Sequence, residues 1–257
     1  MMTLTRPDII ETTHRSYLNA GADIITTNSF TAQPLMQERF GTVDLVERIN
    51  HEAAGLARRV ADDFAAYDPE RRTFVAGVLG PTDAIPDTAQ ADIMPNLRVV
   101  SEAEMRMGYK RQALGLIQGG VDLLLAETMS SVALVAAACA GIREACDEMG
   151  EEVPLWVSGT TDISGERLLS GEAFETLVRT VAPFRPVCIG LNCGYGARAA
   201  AAGIRRLGGM TSLPVSCYPS AGIPDSEGIY PEDPEVWAEA AGRMVQGGTV
   251  NIVGGCC

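Results

Sequence analysis

Residues 187–192 read VCIGLN, and a cysteine follows at 193. A run this short and apolar almost throughout is the pattern of a strand covered on both faces. A half-exposed strand would alternate, and a helix would need a longer period-3.6 stripe. Outward in both directions the same kind of run recurs at 22–27 (ADIITT), 73–79 (TFVAGVL), 121–126 (VDLLLA), 154–158 (PLWVS), 213–217 (LPVSC) and 249–253 (TVNIV). Helical patterns fill the gaps. In 43–64, Leu45, Ile49, Ala53, Leu56, Val60 and Phe64 recur at spacings of three and four and form one apolar stripe. In 101–118 the stripe runs through Met105, Tyr109, Ala113 and Leu116, and further helices are expected near 7–19, 130–149, 171–182, 196–207 and 233–246. The stretch Gly80–Ser101 holds three prolines and no period, so it reads as a covering or functional loop.

Repeated β-then-α units imply an α/β fold with a parallel sheet and right-handed crossovers. Seven strands fit either a doubly wound sheet or a (β/α)8 TIM barrel short of one strand, and periodicity leaves both open. Either architecture gathers its active site at the C-terminal ends of its strands. There this chain carries TTNSF, LGPT, AETM, SGTTD, LNCG and GGCC. No linker or compositional break divides residues 1–257, which are expected to form a single domain.

Composition narrows the function. The net charge of −13 argues against nucleic acid, which needs clustered Lys and Arg, and disfavours anionic membrane surfaces. No apolar run approaches the ~20 residues of a membrane span. The N-terminal MMTLTRPDIIETTHR lacks a signal-peptide core, so a cytoplasmic location is the expectation. Seven cysteines in 257 residues are too sparse for a disulfide scaffold, and in a reducing compartment a Cys-Cys pair points to metal or catalysis.

Cys193 follows the strand VCIGLN, and Cys256 and Cys257 follow the strand that ends in NIV, so all three sit at strand C-termini. Neighbouring side chains of a strand point to opposite faces, and Gly254-Gly255 would let the backbone turn so that both cysteines face one ion. Three thiolates leave one corner of a tetrahedral zinc open for a substrate thiol, and soft sulfur suits zinc better than magnesium or calcium. From spacing alone, buried small hydrophobes or a vicinal disulfide at 256–257 remain equally open. Cys139, Cys146, Cys188 and Cys217 lie within helix or strand interiors and read as core residues.

The segments GADIITTNSF, VAGVLGPT, LLLAETM, VSGTTDISGERLLSG, GLNCGYG, PSAGIPDSEGIY and NIVGGCC, in this order, resemble the homocysteine S-methyltransferase family. The likeness is greatest to the homocysteine-binding domain of cobalamin-dependent methionine synthase and spans essentially the whole chain. It implies a (β/α)8 barrel, zinc on Cys193, Cys256 and Cys257, and methyl transfer to homocysteine to give methionine. It further implies that Glu127 holds the homocysteine amino group and that Thr27 and Asn28 line the same pocket. Methylcobalamin would be the donor, carried with a folate-binding partner on separate domains or proteins. Relatives open with a strand bearing Asp-Gly-Gly or Asp-Gly-Ala and continue past GGCC into a last helix. The expectation is therefore a barrel without its first strand and final helix.

Each candidate also has a plainer reading. Glu127 could cap the following helix, Thr27 and Asn28 could form a turn, and Asn192 and Ser158 could shape the pocket or only satisfy strand ends. His14 borders an apolar helix face and His51 turns to solvent, and neither has a catalytic partner in sequence. GVLGPT and SGTTDISG lack the lysine or the spacing of phosphate-binding loops. A stand-alone enzyme using S-methylmethionine or betaine is the nearest alternative. A non-catalytic zinc- or thiol-binding module packing against a cobalamin-bearing partner is the alternative of another class.

Overall fold

A computed structural model describes residues 1–87 and 97–257. Seven strands form one parallel sheet: β1 (Ile24–Thr26), β2 (Phe74–Leu79), β5 (Leu123–Met129), β6 (Leu155–Gly159), β7 (Cys188–Cys193), β8 (Val215–Pro219) and β9 (Ile252–Val253). Their order in the sheet is their order in the chain. A doubly wound sheet would reverse that order at a switch point, whereas a (β/α)8 barrel adds each strand beside the last. The topology therefore decides between the two architectures the periodicity left open. The fold is α/β with the strand order of a TIM barrel, seven strands of which are present among the described residues.

The chain divides into two compact units. The first contains residues 1–87, 97–126 and 137–155. In it β1 pairs with β2 (Ile24↔Phe74) and β2 with β5 (Ala76↔Leu123). Helices α2 (Pro7–Asn19), α4 (Val46–Tyr67) and α5 (Glu102–Gln118) cover these strands. Leu18, Ile25, Ala57, Val60, Ala61 and Val75 make one cluster of its core. The α4 stripe is buried as its spacing predicts at Ile49, Ala53, Leu56 and Val60, and in α5 Met105, Tyr109, Ala113 and Leu116 are fully enclosed. His14 is buried and His51 exposed, as read from their spacing.

Two features of this unit were not visible in the sequence. A short α1 (Met2–Thr5) and α3 (Pro34–Gln37) precede α4, with Pro34 at the first turn and the Gln33 side chain capping Leu35 N. The segment expected to be a loop from Gly80 to Ser101 also holds a small sheet. There β3 (Ala84–Pro86) pairs in parallel with β4 (Arg98–Val100). Strands of three residues are too short to show a period, which is why the prolines dominated the reading. The part of that stretch at 88–96 lies outside the described residues.

The second unit contains residues 127–136 and 156–257. Here β6, β7, β8 and β9 pair in sequence, with Trp156↔Cys188, Ile189↔Val215 and Ser216↔Ile252 in register. Helices α7 (Phe174–Val181), α8 (Ala197–Gly208) and α9 (Pro234–Gln246) accompany them. Helix α9 starts on a proline, with Asp233 accepting from Val236 N at 2.8 Å, the preferred chemistry of a helix start. Helix α6 (Val132–Met149) follows β5. Cys139, Cys146, Cys188 and Cys217 are all buried, in agreement with their reading as core residues.

Candidate active site

The C-terminal ends of β5, β6, β7, β8 and β9 within the second unit bring together Glu127, Thr128, Ser158, Asn192, Cys193, Tyr218, Cys256 and Cys257. The three sulfurs meet. Cys193 Sγ lies 3.9 Å from Cys257 Sγ, and Cys256 Sγ lies 4.0 Å from Cys257 Sγ. All three ligand atoms fall within 4.8 Å of one another. Thiolates on a tetrahedral zinc at about 2.3 Å stand about 3.8 Å apart. Two edges at this spacing and the all-sulfur donor set therefore fit zinc.

The chain reaches this arrangement differently at its two ends. Cys193 closes β7 in the left-handed region, at φ 59°, and Gly194 follows at φ 74°. A non-glycine residue there stores on the order of 1–2 kcal/mol and persists because its surroundings hold it. Ser220 N donates to Cys193 O at 3.1 Å, and Ser220 Oγ donates to Gly194 O at 2.6 Å. On the other side, Gly254-Gly255 were expected to supply backbone freedom, yet neither has a positive φ. Instead the segment continues along β8, with Gly254 N donating to Cys217 O at 3.1 Å and Cys256 N to Pro219 O at 2.9 Å. The bareness of Gly254 eases the approach of this segment to β8, because a Cβ there would sit a tight 3.1 Å from Tyr218 Cβ.

Electrostatics separate the three thiols. Hydrogen bonding from Cys256 holds Cys193 below the usual thiol range. Cys256 is pushed far up, first because its thiol keeps its proton to share with Cys193 and then by burial. Cys257 is raised by burial and by the neighbouring Cys256 charge. Three crowded sulfurs thus resist full ionisation unless a cation shares their charge, the condition a bound dication meets.

Glu127 stands near the end of β5, partly buried, and burial lifts its carboxyl to about 7 against the opposing pull of the nearby Tyr218 hydroxyl. Tyr218 on β8 is itself buried, and both burial and the Glu127 charge push its phenol well above the usual range. Asn192 joins these parts. Its Oδ1 accepts from Thr128 N at 2.8 Å and from Ser158 Oγ at 2.7 Å. Its Nδ2 donates to Thr128 Oγ1 at 2.7 Å and faces Cys256 Sγ at 3.9 Å. Ser158 is fully buried behind that amide.

Thr27 and Asn28 belong to the first unit. Thr27 is buried, its Oγ1 accepting from Val78 N at 2.9 Å and sharing a hydrogen bond with Ser29 Oγ at 2.6 Å. Asn28 is exposed and donates to Thr3 Oγ1 at 3.3 Å. Sequence reasoning missed Thr128 and Tyr218. A β-branched residue at φ 57° gives no sequence signal, and Tyr218 reads as an ordinary strand aromatic. Only its place directly before the polar strand end PSAG could have flagged it.

A family model described as homocysteine S-methyltransferase matches residues 1–257. Among solved structures, the homocysteine methyltransferase MmuM from Escherichia coli is similar in three forms. The oxidized form has a TM-score of 0.77 at 23% identity, covering 100% of this chain and 82% of that one. The metallated form gives 0.75 at 23% identity with the same coverage, and the apo form 0.73 at 21% identity, covering 100% and 83%. With the strand order and the sulfur cluster in place, the match over the full sequence is decisive: the chain belongs to the homocysteine S-methyltransferase family. It is a methyltransferase, and homocysteine methylation is the reaction of its class. Among the described residues no helix is long and apolar enough to cross a membrane.

Proposed function

We propose that the protein transfers a methyl group to homocysteine with a zinc ion held by Cys193, Cys256 and Cys257, as the homocysteine-binding part of a cobalamin-dependent methionine synthase. The observation that carries the zinc reading is the triangle of sulfurs at tetrahedral-edge spacing, 3.9 and 4.0 Å on two sides. Zinc bound there keeps a substrate thiol as a thiolate at neutral pH and fixes its position. Residues 1–257 act as one functional domain in this reading, in keeping with a family model that spans them all.

The protein's own groups do the rest. Glu127 accepts the homocysteine ammonium, and the incoming positive charge draws its raised carboxyl into the ionised form. Asn192 keeps the end of β5 in place, and Ser158 supports Asn192 from behind. Thr27 and Asn28 line the pocket by resemblance to the family. The homocysteine sulfur attacks the donor's methyl carbon in line, and an S–C bond forms as the donor's bond to that carbon breaks with its electron pair. Methionine and the demethylated donor leave. Methylcobalamin on a partner domain is the donor favoured by the segment SGTTDISGERLLSG, whose likeness is to methionine synthase.

The test is homocysteine-dependent methionine formation with methylcobalamin, S-methylmethionine and betaine offered in parallel. Turnover with methylcobalamin, lost in Cys193→Ser and Cys257→Ser together with bound zinc, is the expected result. Turnover only with S-methylmethionine or betaine would make this a stand-alone enzyme. Full zinc with no turnover from any donor would leave a zinc-binding module.

A further inference from the structure

We infer that Asn192 is a positioning residue that ties the amine-binding end of the site to its sulfur end. The inference rests on the zinc and homocysteine reading above. A carboxamide has two N–H donors and two acceptor lone pairs on its oxygen. In this protein all four have a partner: Thr128 N and Ser158 Oγ on Oδ1, and Thr128 Oγ1 and Cys256 Sγ on Nδ2. Its orientation is not interchangeable. Thr128 N–H can only donate, so the oxygen must face it, and the NH2 is thereby aimed at Thr128 Oγ1 and Cys256 Sγ.

Thr128 needs such a clamp. It is β-branched and sits at φ 57°, a conformation that costs on the order of 1–3 kcal/mol and persists only when its surroundings over-determine it. Asn192 grips it twice, on the backbone N–H and on the side-chain hydroxyl. The gripped N–H belongs to the peptide that joins Glu127 to Thr128. Locking that peptide plane sets the direction in which the chain leaves Glu127, and so the placing of its carboxylate. The same amide offers an N–H to Cys256 Sγ. One side chain therefore fixes the two features that must lie a homocysteine's length apart. Residues that orient metal ligands in this way typically change metal affinity or activity 10- to 100-fold when altered.

The test uses the full chain and Asn192→Asp, which keeps the shape and the oxygen facing Thr128 N but turns an acceptor towards Thr128 Oγ1 and Cys256 Sγ. Zinc affinity is read by chelator competition, and kcat and KM for homocysteine are read separately. The expected outcome is zinc affinity lowered at least about 10-fold and KM raised in zinc-saturated protein, with the circular dichroism spectrum of the wild type. If Asn192→Asp does not fold, Thr128→Ala carries the test from the other partner. It removes a hydroxyl that Nδ2 holds and leaves Glu127 and the cysteines in place. A severalfold rise in KM is expected from it. Folded variants with zinc affinity and KM both within about twofold of wild type would overturn the inference, because a residue that only supports the fold lowers melting temperature alone. A wild type that binds no zinc would instead overturn the reading on which the inference rests.

Discussion

Glu127 is the residue whose surroundings most change its chemistry. Its carboxyl titrates near 7 in the folded protein, against 4.5 ordinarily, because burial disfavours the charge. Between those values the folded protein holds a proton that the unfolded chain has lost, so stability falls as pH rises through that window. The full effect is on the order of 3 kcal/mol, less what solvent screening of a partly exposed group removes. Glu127→Gln should therefore flatten the profile. Urea denaturation of metal-free protein at about pH 5 and about pH 8 should show the variant gaining on wild type at the higher pH. Equal differences at both would contradict the account. At this scale the sequence speaks where residue type implies chemistry, as with the cysteines, whereas Glu127 stands out only through the family resemblance. The sequence is silent where function lies in a relation. Thr128 and Tyr218 matter through partners on other strand ends, Thr128 through Asn192 64 positions on and Tyr218 through Glu127. The role of Gly254 was misread because clearance from a neighbouring strand cannot be seen along a chain.

Among the elements, the main helices and the seven strands were legible because buried strands are continuously apolar and covering helices carry a stripe. Boundaries moved by a few residues: β5 runs on to Met129 and β8 to Pro219, where polar residues still pair in the ladder although they end the apolar run. The short β3 and β4 escaped because three residues carry no period. Packing between β7 and β8 makes a sharper prediction. A Cβ on Gly190 would overlap the Oγ and carbonyl oxygen of Ser216. That Oγ cannot swing away freely, since it accepts from Trp156 Nε1 at 2.8 Å. Gly190→Ala should cost about 2–3 kcal/mol. By contrast Gly242 in α9 has open space where its Cβ would stand, so Gly242→Ala should stabilise by up to about 1 kcal/mol. Thermal denaturation of the pair checks both signs, and a Gly190→Ala variant as stable as Gly242→Ala would refute the packing argument.

For the molecule as a whole, the choice between a doubly wound sheet and a barrel could not be read from periodicity, since both cover each strand on its two faces. Strand order settles it, and strand order is a property of the folded chain. The resemblance reached the same answer through motifs. Metal should also be linked to folding: zinc at 100 times its dissociation constant should add about 2.7 kcal/mol if the unfolded chain does not bind it. Melting temperature should then rise with zinc in the wild type and much less in Cys256→Ser. The most direct test of the central claim is X-ray absorption at the zinc edge of the reconstituted protein, without and with homocysteine. The account predicts three sulfurs at about 2.3 Å plus one lighter ligand, becoming four sulfurs when homocysteine binds. Fewer than three sulfurs, or a coordination sphere that homocysteine leaves unchanged, would contradict it.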